Sequence, residues 1–190
     1  LQCVGSRDIN HCDNGYCSSV CCMYATKQAV IAKEHSDDPL DAVIFYMDMR
    51  TYGKDYEIYY DRARKTYGVR LERCRPHSVI SDAASGQLAI SYATDASSAL
   101  TTEQFDMVVL STGFRVPTDL VQLADKLGVE LNEHDYAITG SFSPVATSRQ
   151  GIYVCGLFES PKDIPETMVQ ASAAACMASE DLLLPQEGST

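Results

Sequence analysis

CVGSRDINHCDNGYCSSVCC (residues 3–22) occupies the place where an α/β nucleotide-binding unit makes its first strand-to-helix turn. Such a turn needs G-x-G-x-x-G, so that backbone N–H groups and the helix N-terminus can cradle a pyrophosphate. Here the turn carries Cys3, Cys12, Cys17, Cys21 and Cys22 instead. Thiols stand where phosphate would sit, which speaks against NADH or NADPH binding by this chain. Asp48, at the end of the next apolar run, is where an acid would meet a ribose, but without the glycines it reads as a turn residue. On a regular helix Cys17 and Cys21 share a face and Cys22 points about 100° away. All three can meet one group only if Cys17 precedes the helix or the first turn is distorted.

Four thiolates ligate an iron–sulfur cluster, whose separate corners tolerate looser spacing than a zinc knuckle. Cys3, Cys17, Cys21 and Cys22 form such a set, and Cys12 could replace one member. The residues alone leave open a zinc site lacking the usual C-x₂₋₄-C pairs, buried structural thiols, or a strained vicinal disulfide. Cys74, Cys155 and Cys176 fall in strand or helix patterns and are expected in the core.

The surrounding chain narrows the function classes. The 190 residues carry a formal charge of −11, and the 15 Lys and Arg are scattered, whereas a nucleic-acid binder needs clustered cations. The longest apolar runs, including 29–32 and 107–110, are too short to span a bilayer, and the N-terminus does not read as a signal peptide. A reducing, cytoplasmic setting is expected, in which five of eight cysteines crowded into 3–22 read as a metal site rather than a disulfide framework. The start at Leu1, inside a strand-like run, suggests a piece of a longer protein.

Periodicity predicts strands at 1–4, 41–48, 69–73, 78–81, 88–93, 105–113 and 151–156, the stretch 94–102 being a polar loop. Helices are expected over 19–34, 54–66 with Gly68 as stop, 118–127 capped by Thr118, and 163–184. The last opens with Asp163, Ile164, Pro165 and Glu166, an N-cap acid, a first-turn proline and an acid three residues after the cap. The alternation gives an α/β fold.

The stretches LQCVGSRD (1–8), YCSSVCCMYATKQA (16–29), FYMDMRTYGKDYE (45–57) and GIYVCGLFESPKDIPETMVQASAAA (151–175) closely resemble the A-subunit of the heterodisulfide reductases, an iron–sulfur flavoprotein with a thioredoxin-reductase-like core. The resemblance implies a Rossmann-like nucleotide-binding-type domain over 1–113, inserted into an FAD domain whose C-terminal piece is 114–190. It implies a [4Fe–4S] cluster on Cys3, Cys17, Cys21 and Cys22. It further implies FAD near Lys27, Gly113, Gly156, Lys162, Asp163, Ile164 and Pro165, with the Gly-rich FAD-binding half lying upstream. Lys27 reads equally as a solvated helix lysine. Leu157 stands where that fold usually has an Asp, so a ribityl contact is not expected. The final helix would aim free N–H groups at the flavin, or else simply pack an Ala-rich face in the core.

The leading functional reading is therefore an electron-transfer piece of a bifurcating flavin-dependent reductase. It would work with other subunits and electron-donor proteins, and a homodimer is compatible with it. The alternatives are a thioredoxin-reductase-like thiol/disulfide oxidoreductase, disfavoured because C-x-x-C is missing, and a cofactor-free subunit-docking domain.

Overall fold

A computed structural model describes residues 14–94 and 97–183; the expected strand 1–4 lies outside them. The chain is α/β and divides into two compact units, Leu1–Gly113 and Phe114–Thr190.

In the first unit, helix α1 (Cys21–His35), strand β1 (Val43–Tyr46), helix α2 (Tyr56–Lys65) and strand β2 (Arg70–Arg73) follow in order. Strands β1 and β2 pair in parallel, Val43 opposite Arg70 and Tyr46 opposite Arg73. Successive side chains of a strand point to opposite faces, and β1 buries both. Ile44 packs with Val30 of α1, Ala63 of α2 and Val69. Phe45 turns to the other face and joins Cys74, Ile90 and Tyr92. Its ring centroid is 4.8 Å from that of Tyr92 and 5.8 Å, edge-on, from that of Phe105. This is why VIFY reads as an unbroken apolar run rather than an alternating one.

The second layer is an antiparallel meander, β3 (Ser78–Ser81), β4 (Leu88–Thr94) and β5 (Ser97–Phe105). The β3–β4 turn closes where Gly86, at φ +74°, donates its N–H to the Asp82 carbonyl at 2.8 Å. Two expectations are overturned here. The described residues of the polar stretch 94–102 are not a loop: Thr94 ends β4 and 97–102 belong to β5, where pairing of Ser91 with Thr102 and Tyr92 with Thr101 gives the Ser- and Thr-rich backbone a ladder. Conversely, 106–113 is not a strand: Met107, Val109 and Leu110 are 77, 65 and 66% exposed. Apolar β-branched composition creates a propensity for sheet but supplies no neighbour to pair with.

In the second unit, helix α3 (Thr118–Leu127) follows Pro117, which is itself the cap residue, so Thr118 is the first helical residue and not the cap. The helix ends at Gly128 in the left-handed region, and Ala124, Val129, Ala137 and Val154 form the core beyond it. The expected strand 151–156 reduces to a single bridge between Ala146 and Tyr153, followed by a short 3₁₀ turn, Gly156–Phe158. Helix α4 (Ile164–Leu183) buries none of its residues, so the expected core packing of its Ala-rich face is not what holds it. It is tied down by polar contacts instead: the Gly156 N–H donates to Gln170 Oε1 at 2.7 Å, and the Tyr153 hydroxyl to Asp181. Cys155 and Cys176 are correspondingly exposed, and only Cys74 of the three expected core cysteines is buried.

Candidate functional site

The cysteine bend is built by one unusual backbone torsion. Ser19 sits at φ +66°, a left-handed conformation that costs a non-glycine residue roughly 1–2 kcal/mol. Its hydroxyl is hydrogen-bonded to that of Tyr52, and the Val20 N–H closes onto the Ser18 carbonyl at 2.7 Å. The chain turns sharply, and α1 begins only at Cys21. Cys17 therefore lies before the helix, which is the condition the spacing set for three thiols to meet one group. The Ser19 N–H donates to Cys17 Sγ at 3.4 Å, the kind of backbone contact that stabilises a thiolate.

Cys21 and Cys22 occupy the first turn of α1, which has no side-chain cap and no acidic residue in that turn. The positive end of the helix dipole is thus left for the sulfurs. Both thiols are buried. Cys22 Sγ donates to the Asp48 carbonyl at 3.7 Å, and buried Thr26 fixes the same turn by donating its hydroxyl to the Cys22 carbonyl at 2.7 Å. Asp48 also pairs with Arg50 at 3.1 Å. Burial pushes the Cys21 thiol up; hydrogen bonds from Tyr24 and Ser18 oppose this, and Cys17 is near enough to add to the rise. Among the described residues the cysteines form no disulfide.

Tyr24 was not singled out by the sequence, although its position three residues after Cys21 puts both on one face of the helix. Burial raises its phenol pKa, while the Ser111 side chain and the Gly113 backbone lie close enough to pull it down. Ser111 is only 4% exposed, and its hydroxyl has no hydrogen-bond partner. Leaving a buried hydroxyl unsatisfied costs about 1–3 kcal/mol.

Among the described residues, no three Cys, His, Asp or Glu side chains converge as a single metal ion would require. The described part of the site comprises Cys17 ahead of the bend, with an amide on its sulfur, and Cys21 and Cys22 at an uncapped helix start. Cys3 and Cys12 lie outside the described residues. Lys27 is exposed on α1.

In the second unit, 156–165 forms a tight self-bonded loop. Gly156 is at φ +70°, and a Cβ there would come within 3.1 Å of Thr167 Cγ2. The Lys162 side chain is 9% exposed. Its ammonium donates to the Gly156 carbonyl at 3.0 Å, the Ser160 carbonyl at 3.2 Å and the Ser160 hydroxyl at 3.0 Å, and pairs with Glu159. Lys162 is thus a clamp inside the loop. The N-terminus of α4 is closed in turn: Pro165 has no N–H, and the amides of Asp163 and Glu166 are taken by each other's carboxylates. Of the first-turn amides expected to point outward, that of Glu166 is taken by this reciprocal capping and position 165 has none.

What the described residues define is an α/β chain with two buried thiols in the uncapped first turn of a helix and a third just before it. No family model matches the chain. It is 38% identical over 181 residues to the CoB–CoM heterodisulfide reductase iron-sulfur A-subunit of Methanocaldococcus jannaschii, covering 94% of this chain and 27% of that protein. It is also 38% identical, over 92% of the chain and 27% of the relative, to the A-subunit of the H(2)/formate:CoB-CoM heterodisulfide,ferredoxin reductase of Methanococcus maripaludis. A protein of Archaeoglobus profundus described as like the heterodisulfide reductase A-subunit matches at 37% over 94% of the chain and 25% of its own length. The chain belongs to the heterodisulfide reductase A-subunit family and spans about a quarter of the length of these curated relatives. Among the described residues, no helix is long and apolar enough to cross a membrane.

Proposed function

We propose that this chain carries one [4Fe–4S] cluster on Cys3, Cys17, Cys21 and Cys22 and serves as an electron-relay segment of a cytoplasmic heterodisulfide-reductase-type oxidoreductase. The observation that carries the reading is the bend at Ser19, which sets Cys17 ahead of α1 while Cys21 and Cys22 open the helix. The name "iron-sulfur subunit" borne by a relative supports it. Such a cluster supplies one-electron chemistry to a neighbouring flavin. This chain's own residues orient the thiols, exclude water from Cys21 and Cys22, and offer N–H donors to sulfur. In this reading 1–113 is a Rossmann-like domain, 114–190 belongs to an FAD domain, and the 156–165 loop approaches the flavin ring. The other subunits of such a complex and its electron-donor proteins are the partners, and flavin-based bifurcation is the setting.

Anaerobic reconstitution with iron and sulfide, followed by metal analysis and visible and EPR spectra, tests the reading. The wild-type chain should take up iron and sulfide in cluster stoichiometry, and Cys17→Ser and Cys21→Ser should lose most of it. Unchanged iron and spectrum in both variants would refute the ligand assignment. The exposed apolar residues of 107–110 and of α4, among them Met168 and Val169, favour a second reading, a docking piece without a cofactor. That reading requires that no iron be taken up at all.

A further inference from the structure

Helix α4 carries its polarity the wrong way round for a surface helix. Ile164, Met168, Ala171, Ala175, Ser179 and Leu182 recur at steps of three and four, so they form one stripe along it. All six are exposed, Ile164, Met168 and Leu182 to 77, 68 and 86%. The charges of the helix, Glu166, Glu180 and Asp181, lie off this stripe. Toward its own unit the helix turns polar groups instead. Gln170 Nε2 donates to the Pro144 carbonyl at 3.3 Å, Gln170 Oε1 accepts from the Gly156 N–H at 2.7 Å, and Asp181 accepts from the Tyr153 hydroxyl. A helix on the surface of a finished domain does the reverse, with its apolar side inward and its charges outward. The reciprocal cap of Asp163 and Glu166 fixes where α4 starts, so the stripe belongs to a defined element rather than to a fraying end.

We propose that this stripe is an intramolecular seat, covered by an apolar surface that belongs to the same polypeptide but lies outside these 190 residues. Helix α4 is then the shared wall of two packed layers, polar contacts tying it to 139–162 and apolar contacts to the covering part. The inference rests on the proposed reading of 114–190 as part of a larger domain and makes no use of a cluster. Two observations choose the occupant. The chain spans about a quarter of the length of its curated relatives, so a polypeptide of their length has ample chain to supply the cover. A second copy of this chain fits poorly. A helix of 20 residues is about 30 Å long and about 10 Å across, so its face offers a footprint of roughly 300 Å². A stable interface takes about 800 Å² from each partner.

Cys176, exposed and next to Ala175, is a built-in reporter of that cover. In the native full-length polypeptide that carries this chain, a maleimide should label Cys176 many-fold more slowly than after unfolding in urea, as read by peptide mass mapping, and at a rate independent of protein concentration. Labelling as fast as in urea would overturn the proposal. Protection that fades on dilution would overturn it too, because such a cover comes from a second copy or another subunit. Ala175→Glu gives a separate reading: it should lower the urea midpoint of the full-length protein, whereas Glu180→Gln, off the stripe, should leave it unmoved. A midpoint for Ala175→Glu equal to that of the wild type would count against the seat. If Ala175→Glu does not fold, the labelling of Cys176 in the unaltered protein decides. Neither measurement reads iron, so a failed reconstitution sinks the cluster reading and not this one.

Discussion

Asp163 and Glu166 exchange hydrogen bonds across the first turn of α4, the Asp163 N–H donating to Glu166 Oε2 at 2.9 Å and the Glu166 N–H to Asp163 Oδ1 at 2.8 Å. The start of α1 is the opposite case, with no side-chain cap and no first-turn acid. One chain therefore contains a helix end that answers its own dipole and another that leaves it for the neighbouring thiols.

The α4 cap matters for stability because that helix fully buries none of its residues. Asp163→Ala should cost about 0.5–2 kcal/mol, read as a lower denaturant midpoint. Glu166→Ala should cost less, and the double variant less than the sum of the two. Strict additivity would show that the two carboxylates do not act as one unit.

The same closure bears on FAD. An open helix end contributes roughly 0.3–2 kcal/mol to an anion, against about 8 kcal/mol for micromolar affinity, and here the Asp163 and Glu166 amides are already bonded to side chains. No G-x-G-x-x-G occurs in the 190 residues. Calorimetry on this chain alone should give FAD binding weaker than micromolar. Stoichiometric FAD surviving gel filtration would show that the proposed division of the FAD domain is wrong.

Ser19 offers a conformational test of the cysteine bend. A β-branched side chain is a poor occupant of φ +66°, so Ser19→Val should open the bend and lower iron uptake on reconstitution. Ser19→Gly, which accepts that torsion, should keep it. Equal iron in the two variants would detach the bend from the ligand set.

Arg70, Glu103 and Tyr92 link β2 to the meander. The guanidinium holds Glu103 below the usual carboxylate range, with one hydrogen bond at 3.0 Å. Burial, helped by the hydrogen bond to Glu103, pushes Tyr92 up to about 12. A lowered acid contributes stability above its unfolded value, about 4.3, and loses it as pH falls through the folded value. A raised phenol contributes below about 10 and loses that contribution as pH climbs toward its folded value. On the iron-free chain, Glu103→Gln should therefore flatten the acid limb of denaturant midpoint against pH, and Tyr92→Phe the alkaline limb. Profiles parallel to the wild type would refute the linkage.

What the sequence disclosed follows from where each signal resides. The Asp163 and Glu166 cap, the Gly86 turn and the doubly buried VIFY strand are written in adjacent residues and were legible. The strand at 97–105 was not, because Ser, Thr and Glu side chains say little about a backbone whose ladder is supplied by β4. The 106–113 run misled in the opposite direction, its apolar residues promising a strand that the described neighbours do not complete. Around Cys21 the spacing pointed to the thiols, but Ser111 and Gly113 reach Tyr24 only through tertiary folding, which no local pattern records.

The positions of Cys155 and Cys176 on the surface have a practical result. In air these two thiols oxidise and cross-link one molecule to another ahead of buried Cys21, Cys22 and Cys74. Dimers on a non-reducing gel would then report handling instead of assembly. A Cys155→Ser/Cys176→Ser protein should lose the part of that dimer band which these two thiols form, and a dimer that persists on gel filtration under reducing conditions would be a genuine association of subunits.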